Sequence, residues 1–144
     1  MKTETHKIIV LVFSFALLGC STIKNGKIPF VLEHQMLLSK EIEMLLPIPF
    51  HIQKDNYEEG VIYYYTFPDS AYIVVLQGSM VDFPMDKYPP NKTKVNNKKK
   101  TSVGMENNKF WRKDVYEGVR VYYGNVPKRS KRIYDNVLDE TKVW

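Results

Sequence analysis

Two runs of Tyr, Val and Ile separated by a three-residue turn constrain the fold of this chain more than any other stretch. Val61 to Phe67 and Ala71 to Gln77 flank Pro68-Asp69-Ser70. β-branched and aromatic side chains suit a pleated surface, and Pro followed by Asp and Ser is turn chemistry, so the segment reads as a β-hairpin. The second run is apolar on both faces, with Ile73 and Val75 on one and Tyr72, Val74 and Leu76 on the other. A strand of that kind sits inside a sheet and is buried on both sides.

A second hairpin is expected from Phe110 to Tyr116 and Val119 to Tyr123, turning at Glu117-Gly118. There Val119, Val121 and Tyr123 alternate with Arg120 and Tyr122, which predicts one buried and one wetter face. Between Gln35 and Leu46, Leu38, Ile42, Leu45 and Leu46 fall at helical spacing, and Pro47 and Pro49 would end a helix. After Pro127, the pairs Ile133/Val137 and Tyr134/Leu138 predict a C-terminal helix with an apolar stripe. Residues 82–108 carry three prolines, scattered Asn and Lys98-Lys99-Lys100, and read as a long mobile loop. The expected fold class is therefore α+β: an antiparallel sheet of about four strands, built from two hairpins, with an N-terminal and a C-terminal helix.

The chain begins with a different kind of signal. Lys2 and Lys7 precede an apolar stretch of 11 residues, Ile8 to Leu18, broken only by Ser14. A stable membrane helix needs roughly 20 residues, so this is the layout of a signal peptide rather than a span. Leu17-Leu18-Gly19-Cys20 follows and resembles the lipobox of bacterial lipoproteins. The resemblance covers about the first 20 residues. It implies cleavage between Gly19 and Cys20 and lipidation of Cys20, which would hold the mature protein on a membrane through acyl chains alone. Neither an Asp after the cysteine nor an acidic cluster follows, so the outer membrane, facing the periplasm, is the expected location in a Gram-negative cell. Residues 1–19 are then the signal peptide, 20–30 a tether rich in Lys, Asn and Gly, and 31–144 a single domain.

Cys20 is the only cysteine in the chain. Its use by lipid would leave no thiol for a disulfide, a thiolate metal site or a nucleophile, and the domain must then be held by its apolar core. The chain carries a net charge of +5. That is a mild bias and excludes no class except a strongly basic nucleic-acid binder.

Candidate chemistry is sparse. His34 and His51 are 17 positions apart, without a carboxylate at metal-ligand spacing, and no Gly-x-Ser-x-Gly elbow is present. Asp82 and Asp86 form a carboxylate pair that would sit at the edge of the expected loop. No cofactor, metal or catalytic residue is expected. Aromatic rings on the predicted strands, Trp111 and Tyr122 foremost, are candidates for stacking on a glycan or a partner. Lys92, Lys94, Lys98, Lys99 and Lys100 could attract anionic groups. Asp69-Ser70-Ala71 resembles an acceptor motif for O-glycosylation of exported bacterial proteins, with Ser70 as the implied site. The functional expectation is a non-enzymatic envelope lipoprotein that binds a protein partner, with a cell-wall or glycan binder as the alternative.

Overall fold

The computed structural model describes residues 28–58, 60–78 and 84–144. The expected signal peptide, Gly19, Cys20 and Asp82 lie outside them. Along the described chain run β1 (Phe30–Met36), β2 (Glu41–Pro47), β3 (His51–Tyr57), β4 (Gly60–Thr66), β5 (Tyr72–Gln77), β6 (Lys92–Val95), β7 (Lys100–Glu106), β8 (Lys109–Val115), β9 (Val119–Val126), α1 (Lys131–Glu140) and β10 (Lys142–Val143). Seven strands form one antiparallel sheet in the order β3-β4-β5-β9-β8-β7-β6, and β1-β2-β10 form a second.

This overturns the α+β expectation: the protein is mostly β, with two sheets, and α1 is the single α-helix among the described residues. The segment expected as an N-terminal helix is instead the β1–β2 hairpin, turning between Leu37 and Lys40. Ile42, Met44 and Leu46 are buried at a period of two, whereas Leu38 is exposed and Leu45 only half-buried. The same residues satisfy a helical and a strand period over so short a span, and a large apolar sheet waiting to be covered selects the strand. Residues 82–108 do not form one loop either, since β6 and β7 lie within them. Lysines are well suited there because β6 is an edge strand, where charge discourages pairing with another chain.

The large sheet is covered on both faces. On one, Tyr63, Tyr65, Ile73, Val75, Val121 and Tyr123 pack against Ile42, Met44 and Leu46 of β2 and Tyr134, Val137 and Leu138 of α1. On the other, Ile62, Val74, Leu76, Trp111 and Tyr122 lie under Met85, carried by a short 3-10 turn between β5 and β6. A β-bulge interrupts β9 near its end. Phe110 faces Val126 while Arg112 faces Tyr123, so β9 holds one extra residue there, and Asn125 takes a left-handed conformation. The bulge reverses the alternation, and Val126 returns to the same core as Tyr123. Gly124 allows this crossing to sit close to Tyr72, whose ring a Cβ would meet at 2.4 Å.

Candidate functional site

The register of the large sheet builds a row of polar side chains on the face that carries α1. Lys92 of β6 is opposite Val103 of β7, which is opposite Arg112 of β8; Lys94, Thr101 and Asp114 form the next row. The helix covers only part of these strands. A cavity of about 470 Å³ remains between α1 and the β6–β7 edge, lined by Lys92, Lys94, Lys99, Arg112, Lys131 and Asp135 among others.

Its floor is a network of fixed charges. Asp114 is fully buried and accepts two hydrogen bonds from Arg112, at 2.9 Å from Nε and 2.8 Å from Nη2. Lys99 donates to the same carboxylate at 2.6 Å and to the Leu138 carbonyl at 3.0 Å. Arg112 also reaches Asp139 at 2.8 Å and the Asp135 carbonyl at 3.3 Å, while Lys131 pairs with Asp135. Burial opposes the Arg112 charge, but the Asp114 and Asp139 carboxylates more than offset it and raise the pKa of the guanidinium. The Arg112 fork thus stays charged and oriented, which a lysine could not reproduce.

Five cations and two carboxylates line this groove, with Asp114 buried beneath, and the three carboxylates are engaged by Arg112, Lys99 and Lys131. Lys92 and Lys94 have no charge partner among the described residues. They project from an exposed strand beside a low-dielectric floor, where an incoming anion would be attracted more strongly than in open water.

The residues singled out from the sequence do not converge. Trp111, 3 % exposed, packs by Tyr88 with a ring separation of 6.5 Å, and Tyr122 is fully buried. Neither offers a stacking surface, because Met85 and Tyr88 cover the face that the sequence alternation had left wet. Tyr122 instead donates toward Asp86, whose carboxylate also pairs with Lys113. The other half of that acidic pair, Asp82, is outside the described residues. His34 is exposed on the small sheet, 3.1 Å from Glu41, while His51 opens β3 in the large one. Among the described residues, no group of three or more His, Cys, Asp or Glu is arranged to hold a metal ion. Ser70 is exposed at the tip of the β4–β5 turn, which is fixed by the Asp69 carboxylate accepting from the Ala71 amide and the Tyr134 hydroxyl.

Of the five lysines, Lys92, Lys94 and Lys99 line the groove, whereas Lys98 and Lys100 do not. Sequence reasoning passed over Arg112, Asp114, Lys131, Asp135 and Asp139. Part of that signal was present, because Lys131, Asp135 and Asp139 recur at intervals of four and share one face of α1. No protein family, curated protein or solved structure matches the chain.

Proposed function

We propose that this protein is an envelope lipoprotein, anchored through Cys20, whose groove between α1 and the β6–β7 edge receives an acidic segment of a protein partner without catalysing a reaction on it. One observation carries this reading: Lys92 and Lys94 have no charge partner among the described residues, beside a buried network that holds Arg112 in place. Fixed floor charges and the exposed Lys92 and Lys94 favour recognition of carboxylates by charge and position. The glycan alternative, in the form that relies on Trp111 and Tyr122, loses its support because both rings are buried.

A photo-crosslinking residue at Val95, which lines the groove and is well exposed, tests the proposal in living cells. A discrete protein adduct is expected, reduced strongly in the Lys92→Glu/Lys94→Glu double variant and weakened by added salt. An adduct of equal yield in that variant, or none at all, refutes the groove as the binding site. The anchor is tested separately: Cys20→Ser should abolish fatty-acid labelling, and labelling that persists refutes lipidation at Cys20.

A further inference from the structure

The outward face of the β1-β2-β10 sheet is apolar in a way that its position in the fold does not require. The register places Phe30, Leu32, His34 and Met36 of β1 on the face opposite to that of Ile42, Met44 and Leu46, which is turned to the core. Phe30 is 43 %, Leu32 59 % and Met36 60 % exposed, and Trp144, joined to the same sheet by backbone bonds to Glu41, is 52 % exposed. Leu45 lies beside Leu32 on this face. Two of its carboxylates are engaged within the sheet, Glu41 by a hydrogen-bond contact with His34 at 3.1 Å and Glu43 by Lys142 at 2.7 Å, while Glu140 stands at the rim beside Leu32 and Leu45. Scattered exposed apolar residues need no explanation, but a set of this size gathered on one face of a sheet does.

The location of the face in the chain identifies what covers it. Ile28, the first described residue, lies only eight positions after Cys20, and β1 begins two residues later. Fully extended, eight residues span at most about 28 Å. A domain of this size is about 35 Å across. A tether shorter than the domain is wide keeps the end at which β1 begins on the membrane side. We infer that the Phe30/Leu32/Met36/Trp144 face docks on the lipid surface and orients the domain, a proposal that rests on lipidation of Cys20. Trp is enriched at the membrane interface, and the Glu43–Lys142 pair reduces the cost of bringing that carboxylate near it. Contacts too weak to bind a free protein suffice once the acyl chains hold the face at high local concentration.

Trp144 is the natural reporter, because the other tryptophan, Trp111, is buried. The full lipidated protein is reconstituted in vesicles of phosphatidylethanolamine and phosphatidylglycerol, with and without brominated acyl chains, and fatty-acid labelling is checked on the same sample. Loss of most Trp144 emission is expected in brominated vesicles, with Trp144→Phe giving the background. Leu32→Glu/Met36→Glu should restore the emission while labelling and the thermal midpoint persist, since both side chains are exposed. A labelled protein whose Trp144 is not quenched overturns the docking proposal and leaves the anchor intact. Absence of label overturns both. Trp144 emission that is blue-shifted equally in both vesicle types, and reverts when protein is diluted in the bilayer, means that a second copy covers the face, and this too overturns the proposal.

Discussion

Truncation of Trp111 separates a core role from a ligand-stacking role most sharply. The indole is 3 % exposed and lies against Gly104 of the neighbouring strand, with Tyr88 and Met85 on the other side. An aromatic side chain buries ~150–250 Å². At ~25 cal/mol per Å² this amounts to ~4–6 kcal/mol, an upper estimate because the unfolded chain is not fully extended. The indole N–H has no hydrogen-bond partner among the described residues, so its removal regains ~1–3 kcal/mol of desolvation. The cavity left behind opposes that gain, and Trp111→Ala should cost ~3–5 kcal/mol. At a urea dependence of ~2 kcal/mol/M, the unfolding midpoint monitored by circular dichroism should fall by ~2 M. A double-mutant cycle sharpens the test. A Cβ at Gly104 would stand 2.4 Å from Cζ2 and 2.7 Å from Nε1 of Trp111, so Gly104→Ala should cost ~1–3 kcal/mol through overpacking. Combined with Trp111→Leu, most of that cost should vanish, giving a coupling of ~1–2 kcal/mol. A Trp111→Ala protein with an unchanged midpoint, or a strictly additive cycle, refutes the packing described for this face.

Other consequences are equally measurable. Asp114→Ala leaves Lys99 without its carboxylate and Arg112 with only the partly exposed Asp135 and Asp139, and should destabilise by ~3 kcal/mol in chemical denaturation, with little relief from salt; a loss below ~1 kcal/mol would show that the network is solvated. Burial raises the pKa of Tyr65, Tyr123 and Tyr134, with Asp135 and Asp69 adding to the rise for the last two, and pushes Tyr122 up to about 12. Each hydroxyl stays protonated in the folded state above the pH at which the unfolded chain ionises. Their contribution is therefore complete below pH ~10 and lost as pH rises toward the folded values, at ~1.4 kcal/mol per unit for each group. Absorbance of tyrosinate should consequently lag in the native protein and appear together with alkaline unfolding, and a smooth titration of every tyrosine near pH 10 in folded protein would contradict this. Finally, if Ser70 carries a glycan, intact mass of the exported protein should exceed the polypeptide-plus-lipid mass, and Ser70→Ala should remove the excess.

The legible part of the fold was the part whose local chemistry admits one solution. Pro68-Asp69-Ser70 could only turn, and in the structure the Ser70 amide donates to the Phe67 carbonyl there, with Ser70 in a left-handed conformation. Glu117-Gly118 likewise marks the β8–β9 turn, where Gly118 has a φ of 74°. The Asn107-Asn108 pair is a turn signal inside the stretch that composition reads as one loop. Both residues adopt positive φ and close the two-residue β7–β8 turn, a conformation that Asn tolerates better than other non-glycine residues. Charge composition misled because it cannot distinguish a solvated loop from an edge strand: Lys92 and Lys94 are compatible with both.

The candidate groove was less legible still. Arg112 and Asp114 are placed on one face by strand register, Lys99 reaches Asp114 from just before β7, and Asp139 is brought in by the packing of α1 on the sheet. A register slip of one residue would turn Arg112 to the opposite face. That choice is made by which apolar residues find cover, a property of the assembled layers.

The sequence by itself determined the β4–β5 and β8–β9 turns, that β5 is buried on both faces and that Cys20 is the sole thiol, because turn chemistry, a doubly apolar run and a residue count are local properties. Only the tertiary structure decided that residues 35–46 are strands, that Trp111 and Tyr122 are core, and that Lys92 and Lys94 overlook a buried Arg112–Asp114 pair. These depend on what covers each face of the large sheet, and the free energy of covering it is shared among residues far apart in the chain.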